Sequence, residues 1–144
     1  MKHKLLFLLP LLAFATACMK SNKTTAPVVA PSGAFVGQFR LLHKKAGHVS
    51  YDTLKANITV TMQTPDNTYA VTGDTTTLHA GSNGSFSLNS SYISFVDKTY
   101  PTTGVPVKTH LNGSYLYYYD GSVLQMLAFS ADTLSLQYDL KRSN

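Results

Sequence analysis

The sequence predicts an all-β protein: an antiparallel up-and-down barrel of about eight strands, with a two-sheet sandwich as the runner-up. Three observations carry this prediction. Apolar and polar residues alternate with period two in run after run, and no 3.6-residue apolar stripe of useful length occurs. Only 13% of the 144 residues are charged, about half the usual share, and Glu, a residue helices favour on wet faces, is absent. Thr, Ser, Tyr and Gly are plentiful instead, a mix that suits strands and turns.

The elements follow in order. Residues 34–43 open the domain with Phe35, Gly37, Phe39 and Leu41 on one face. Residues 53–62 alternate most clearly: Leu54, Ala56, Ile58, Val60 and Met62 share one side, and Thr53, Lys55, Asn57, Thr59 and Thr61 the other. Successive side chains of a strand point to opposite faces, so one side is buried and one is wet. Residues 68–72 offer Tyr69 and Val71, and Asn83-Gly84 reads as a turn before strands at 85–88 and 92–96. Residues 98–106, with Pro101, Gly104 and Pro106, form the longest predicted loop. Strands at 110–119 and 122–129 are joined by Asp120-Gly121, a hairpin dipeptide whose residues tolerate positive φ. After a turn at 130–133, Leu134, Leu136, Tyr138 and Leu140 face in, while Ser135, Gln137, Asp139 and Lys141 face out. Successive hairpins favour the barrel, and closure removes edges that so few charges would guard poorly.

The N-terminus is a separate matter. Met1-Lys2-His3-Lys4 is basic, and residues 5–14 are apolar apart from Pro10. A bilayer-spanning helix needs about 20 apolar residues, so residues 1–17 read as a cleaved export signal, helical in the precursor and no part of the fold. Ala15-Thr16-Ala17-Cys18 resembles the lipobox of bacterial lipoproteins, although Ala15 stands where Leu is commoner. The resemblance implies diacylglycerol on the Cys18 sulfur, cleavage before Cys18 and acylation, with palmitate for example, of the new amine. An ordinary secretory cut after Ala17 would instead leave an exposed thiol, a liability in an oxidising compartment. Cys18 is the only cysteine, so no disulfide supports the domain. Met19 rather than Asp follows it, which resembles outer-membrane sorting, and the acidic cluster typical of surface-exported Bacteroidetes lipoproteins is missing. The expected location is the outer membrane, facing the periplasm, with the membrane itself as partner through the acyl chains on Cys18. Residues 18–32 then form the lipidated cysteine and a flexible tether, whose Pro27 and Pro31 favour extended backbone reaching about 40 Å.

The remaining segment, 33–144, is one domain. Its opening, Gly33-Ala34-Phe35-Val36-Gly37-Gln38-Phe39, resembles the Gly-x-aromatic-x-Gly-x-aromatic start of small lipocalin-like domains found among Bacteroidetes lipoproteins. The run from Gly113-Ser114-Tyr115 to Asp120-Gly121, followed by two last strands, is similar as well. Phe35 stands where lipocalins usually carry Trp, and this chain has no Trp. The resemblance implies a ligand-binding barrel.

Composition narrows the function. The formal charge is +5, and loss of Lys2 and Lys4 with the signal leaves about +3 on a chain whose basic residues do not cluster. Nucleic acid, which needs a basic stripe for its phosphates, is not an expected partner. No Gly-x-Ser-x-Gly elbow occurs, and Asp52, Asp74, Asp120 and Asp132 sit at turn and strand-edge positions, so no catalytic residue and no enzyme activity are predicted. His43, His48, His79 and His110 lack ligand spacing, and neither a metal nor a cofactor is predicted. Tyr115, Tyr117 and Tyr119 share one strand face. They read either as an aromatic platform for a ligand at a barrel mouth or as ordinary packing, since Tyr buries a large ring and can wet its hydroxyl. The predicted function is a lipid-anchored envelope protein that holds a small apolar or amphipathic ligand. The alternative is a non-enzymatic accessory protein that docks on a larger membrane complex, an envelope protein partner, through its outer surface.

Overall fold

Eight strands follow one another: β1 Gly33–Lys44, β2 Tyr51–Gln63, β3 Thr68–Gly73, β4 Asn83–Leu88, β5 Tyr92–Asp97, β6 Gly113–Tyr119, β7 Val123–Ser130 and β8 Leu134–Arg142. The computed structural model describes residues 28–45, 50–130 and 134–144. The signal segment, Cys18 and the tether up to residue 27 lie outside the described residues, and the predicted signal helix with them. Each strand pairs antiparallel with the next, and β8 returns to β1, so the sheet closes as a barrel in sequence order. Among the described residues there is no helix.

The period-two pattern decides what the barrel encloses. Phe35 and Phe39 of β1, Ala56, Ile58, Val60 and Met62 of β2, and Tyr69 and Val71 of β3 all turn inward and are buried. Phe86, Ile93, Phe95, Tyr115, Leu124, Met126, Tyr138 and Leu140 complete the inner face. Leu54 departs from its stripe-mates and is 56% exposed. It has the right parity but sits past the point where β3 stops covering β2, because β3 pairs only from Ile58 onward. β1 and β2 therefore project beyond the barrel body, as does the end of β7, which pairs with β6 only as far as Leu127.

Three sequence expectations are corrected. Asn83-Gly84 is not a turn but the start of β4, with Asn83 opposite Ala70 and Gly84 opposite both Tyr69 and Asp97. Glycine is needed there for close approach, since a Cβ on Gly84 would run into the Val96 carbonyl oxygen. β6 begins at Gly113, not at residue 110, because the Asn112 side chain accepts from the Asp97 N–H at 3.1 Å and holds residues 110–112 out of the ladder. The longest loop accordingly runs over 98–112. The Asp120-Gly121 hairpin forms, but only Gly121 has positive φ, at 97°. Asp120 N–H donates to Val123 C=O, so Gly121 is the first central residue of a tight turn, where a type II′ hairpin places glycine.

The two ends of the barrel differ. One has short turns and both termini of the domain; the other has the loops 74–82 and 98–112. These loops pair with each other: Ala80 N–H donates to Thr109 C=O at 2.8 Å, and Thr109 N–H to Leu78 C=O at 2.9 Å. They cap that end and bury His79 and Leu111 completely.

Candidate functional site

Inside the barrel, rings touch rings. Phe39 lies 4.9 Å from both His79 and Tyr138, centroid to centroid; Tyr138 lies 5.5 Å from Tyr115, and Tyr115 5.9 Å from Phe95. Phe95 in turn meets Tyr69 at 4.9 Å and Phe86 at 6.2 Å. Seven rings thus form one continuous cluster, mostly at the edge-to-face or tilted angles that aromatic quadrupoles prefer. The interior is a packed core.

The polar tips of these rings are satisfied by the cap. Tyr69 Oη donates to Leu111 C=O at 2.5 Å, and Tyr115 Oη to Asn112 C=O at 3.3 Å. His79 Nδ1 lies 2.7 Å from Ala80 C=O, an acceptor, so Nδ1 carries the proton. Its Nε2 is then an acceptor, and Tyr138 Oη donates to it at 2.9 Å. Burial pushes the His79 imidazole below its ordinary value and raises all three tyrosines, Tyr115 to about 12. These four rings are therefore uncharged at neutral pH.

Asp97 organises the cap. Its carboxylate has no exposed surface and accepts from Asn83 N–H, from Thr99 N–H and Oγ1, and from His110 Nδ1 at 2.7 Å. Burial alone would raise its pKa, but donation from Thr99, His110 and Ser82 outweighs burial and holds the carboxyl below its ordinary range. Ser82 Oγ also accepts from Leu111 N–H at 3.1 Å. His79 and His110 thus reach the same end of the barrel, each with a different partner. No group of three or more potential metal ligands exists among the described residues.

The predicted tyrosines share one face, as expected, and that face is the inner one. Tyr115 is fully enclosed, while Tyr117 and Tyr119 pack against the core from the other end. Tyr117 Oη donates to Asn89 C=O at 2.8 Å, and Tyr119 Oη to Gly121 C=O at 3.2 Å. Phe35 meets the Tyr119 ring edge-on at 5.8 Å.

Among the described residues, two concavities on the outer surface stand out. The larger, about 710 Å³, is a groove beside the projecting ends of β1, β2, β7 and β8, lined by Leu42, Lys44, Tyr51, Phe129, Leu134, Ser135 and Gln137. Phe129 is 66% exposed at its lip. The smaller, about 350 Å³, is a cleft over the outer wall of β6–β8, where Leu116, Tyr118, Gln125, Leu127, Gln137 and Asp139 point outward. Both are missed by a search for apolar strand faces, because most of their residues occupy positions that the alternation marks as wet, while Leu134, which the alternation marks as inward, lines the groove and is no part of the core. The one available signal was composition: Phe129, Leu127 and Tyr118 fall where Lys or Thr would be ordinary. Comparison of the chain with family models, curated proteins and solved structures finds no match.

Proposed function

We propose that this chain is a lipid-anchored, non-catalytic binding module of the cell envelope that takes a small amphipathic ligand in the groove beside Phe129. In this reading acyl chains on Cys18 hold it in the outer membrane and the barrel faces the periplasm. The observation that carries the reading is Phe129 itself, a large ring two-thirds exposed over a concavity of ligand size. Covering such a side chain is favourable by about 1.5–3 kcal/mol. Leu42, Tyr51 and Leu134 extend the apolar surface, Lys44 offers a cation to an acidic head group, and Ser135 and Gln137 offer hydrogen bonds. The contiguous rings of the interior support a site outside the barrel, since a ligand within would have to displace them. The lipobox-like Ala15-Thr16-Ala17-Cys18 supports the anchor.

Titration of the full-length protein with a medium-chain fatty acid tests the ligand reading. Saturable binding is expected, weakened about tenfold or more by Phe129→Ser, which corresponds to at least about 1.4 kcal/mol. Binding that ignores this substitution sinks the groove reading. Labelled palmitate tests the anchor: Cys18→Ala is expected to abolish incorporation, and unchanged labelling refutes lipidation at that residue. A second reading, docking on an envelope protein, is favoured by the cap loop, where Val105 and Val107 flank Pro106 almost wholly exposed. Co-purification of a stoichiometric protein that Val107→Ser releases would favour it over the groove.

A further inference from the structure

We propose that the cleft on the outer wall of β6–β8 is a second binding site, specific for a neutral oligosaccharide. The strand register assembles it. Tyr118 lies opposite Gln125, and Gln125 opposite Asp139, in one row across β6, β7 and β8. In the adjacent row, Tyr92, Leu116, Leu127, Gln137 and Arg40 follow one another across β5, β6, β7, β8 and β1. One half of the wall is therefore aromatic and aliphatic, and the other half carries amides and one ion pair.

That adjacency is what a pyranose ring demands. Such a ring has a flat C–H face, which seeks an aromatic surface, and a rim of hydroxyls, which seek planar groups that both donate and accept. Tyr118 is 56% exposed and supplies the surface. Gln125 and Gln137 supply amides, each a donor and an acceptor. The polar half is held in place before any ligand arrives: Gln125 Nε2 donates to Asp139 Oδ1 at 3.0 Å, and Asp139 also receives Arg40. Side chains so braced on rigid strands make a more selective site than loop residues do.

Charge selects the sugar. Arg40 and Asp139 neutralise each other, so the cleft offers no uncompensated charge to an acidic sugar, a phosphate or a nucleic acid. An alkyl chain would leave the amide oxygens of Gln125 and Gln137 without partners, since among the described residues only their nitrogens are bonded, to Asp139 and Ser135. The opening, about 350 Å³, is at the small end for ligand sites and suits a short stretch of glycan. This inference does not rest on the Phe129 groove, although Gln137 borders both concavities.

Saturation-transfer NMR on the full-length protein in a sugar-free detergent tests it, with cellotetraose, maltotetraose and chitotetraose as probes. Saturable transfer to the ring C–H protons of at least one probe is expected. Tyr118→Ala and Gln125→Ala are expected to weaken that binding tenfold or more, while Phe129→Ser leaves it unchanged. Tyr118→Leu, which keeps apolar cover without the ring, is expected to behave as Tyr118→Ala does and to melt at the wild-type temperature. Absence of transfer to all three probes overturns the proposal, and so does binding that survives loss of the Tyr118 ring. Sedimentation showing a dimer that Tyr118→Leu dissociates, with no sugar bound, assigns the wall to a second copy of the chain and overturns it equally.

Discussion

Along β6 the side chains alternate between two environments. Tyr115, Tyr117 and Tyr119 turn inward, and each hydroxyl donates to a backbone carbonyl, of Asn112, Asn89 and Gly121 respectively. Leu116 and Tyr118 turn outward, onto the wall of the smaller cleft. The residue types on the two faces are nearly the same, and parity alone separates them. Where a ring is enclosed and its hydroxyl already committed, as at Tyr115, its energy is tied to the fold. A ring that is half exposed next to amides still has a face to offer. The contrast extends to β8, where Tyr138 sits at the centre of the core and its neighbours Gln137 and Asp139 lie on the surface.

The sharpest way to break this comparison is at Tyr138 and Gln137. Tyr138→Ala removes a ring packed on Phe39, Tyr115 and His79, leaves a cavity and orphans His79 Nε2. The expected loss is about 3–5 kcal/mol, the range of large aromatic truncations. Gln137→Ala, one residue away on the wet face, is expected to stay within about 0.5 kcal/mol of wild type. Urea unfolding of the two variants decides it; similar losses would mean that the outer wall is as structural as the core.

A smaller effect is expected at the cap. Asp97→Asn turns one carboxylate oxygen into an NH₂ group among donors, with an expected cost of about 1–3 kcal/mol. Acid should reveal His79 and the Asp97 network in two separate steps. His79 has a lowered folded pKa, so the unfolded chain takes up a proton below the ordinary value of 6.5 that the folded chain refuses. Its contribution is complete above that pH and is lost as pH falls below it. The Asp97 carboxyl is also lowered, so its contribution is complete above 3.8 and is lost on further acidification. Denaturation midpoints between pH 8 and pH 3 are expected to fall in both windows. His79→Gln should remove the upper step and Asp97→Asn the lower one. A protein that gains stability between pH 7 and pH 5 would contradict the neutral, enclosed His79.

The inner half of this design was legible in the sequence. Leu136 to Leu140 and Ala56 to Met62 announce their inward face by alternation, because a half-buried strand has no other way to arrange its side chains. The cap was not legible. The pairing of His79 with Thr109 joins two loops through their backbones, and Asp97 at the end of β5 meets His110 side chain to side chain, and neither contact leaves a period to read. Asn83-Gly84 misled because a dipeptide that suits a turn also suits a close strand crossing. The outer sites escaped for a third reason. Tyr118, Gln125 and Asp139 lie on three strands, and only the register brings them into one row.

The smallest stability effect is expected at Tyr118, and it is the most instructive. Tyr118→Ala removes a ring of the same type as the enclosed Tyr115, from the same strand, three residues on. Yet more than half of Tyr118 already faces solvent, and its ring belongs to none of the aromatic pairs among the described residues. Its truncation should therefore leave the urea midpoint within about 0.5 kcal/mol of wild type. A stabilising role for the ring would appear as a loss of about 1 kcal/mol or more, through its cross-strand pairing with Gln125. Unchanged stability together with lost sugar binding would separate recognition from folding on a single strand. Lost stability would place Tyr118 with Tyr115, as one more ring that the barrel keeps for itself.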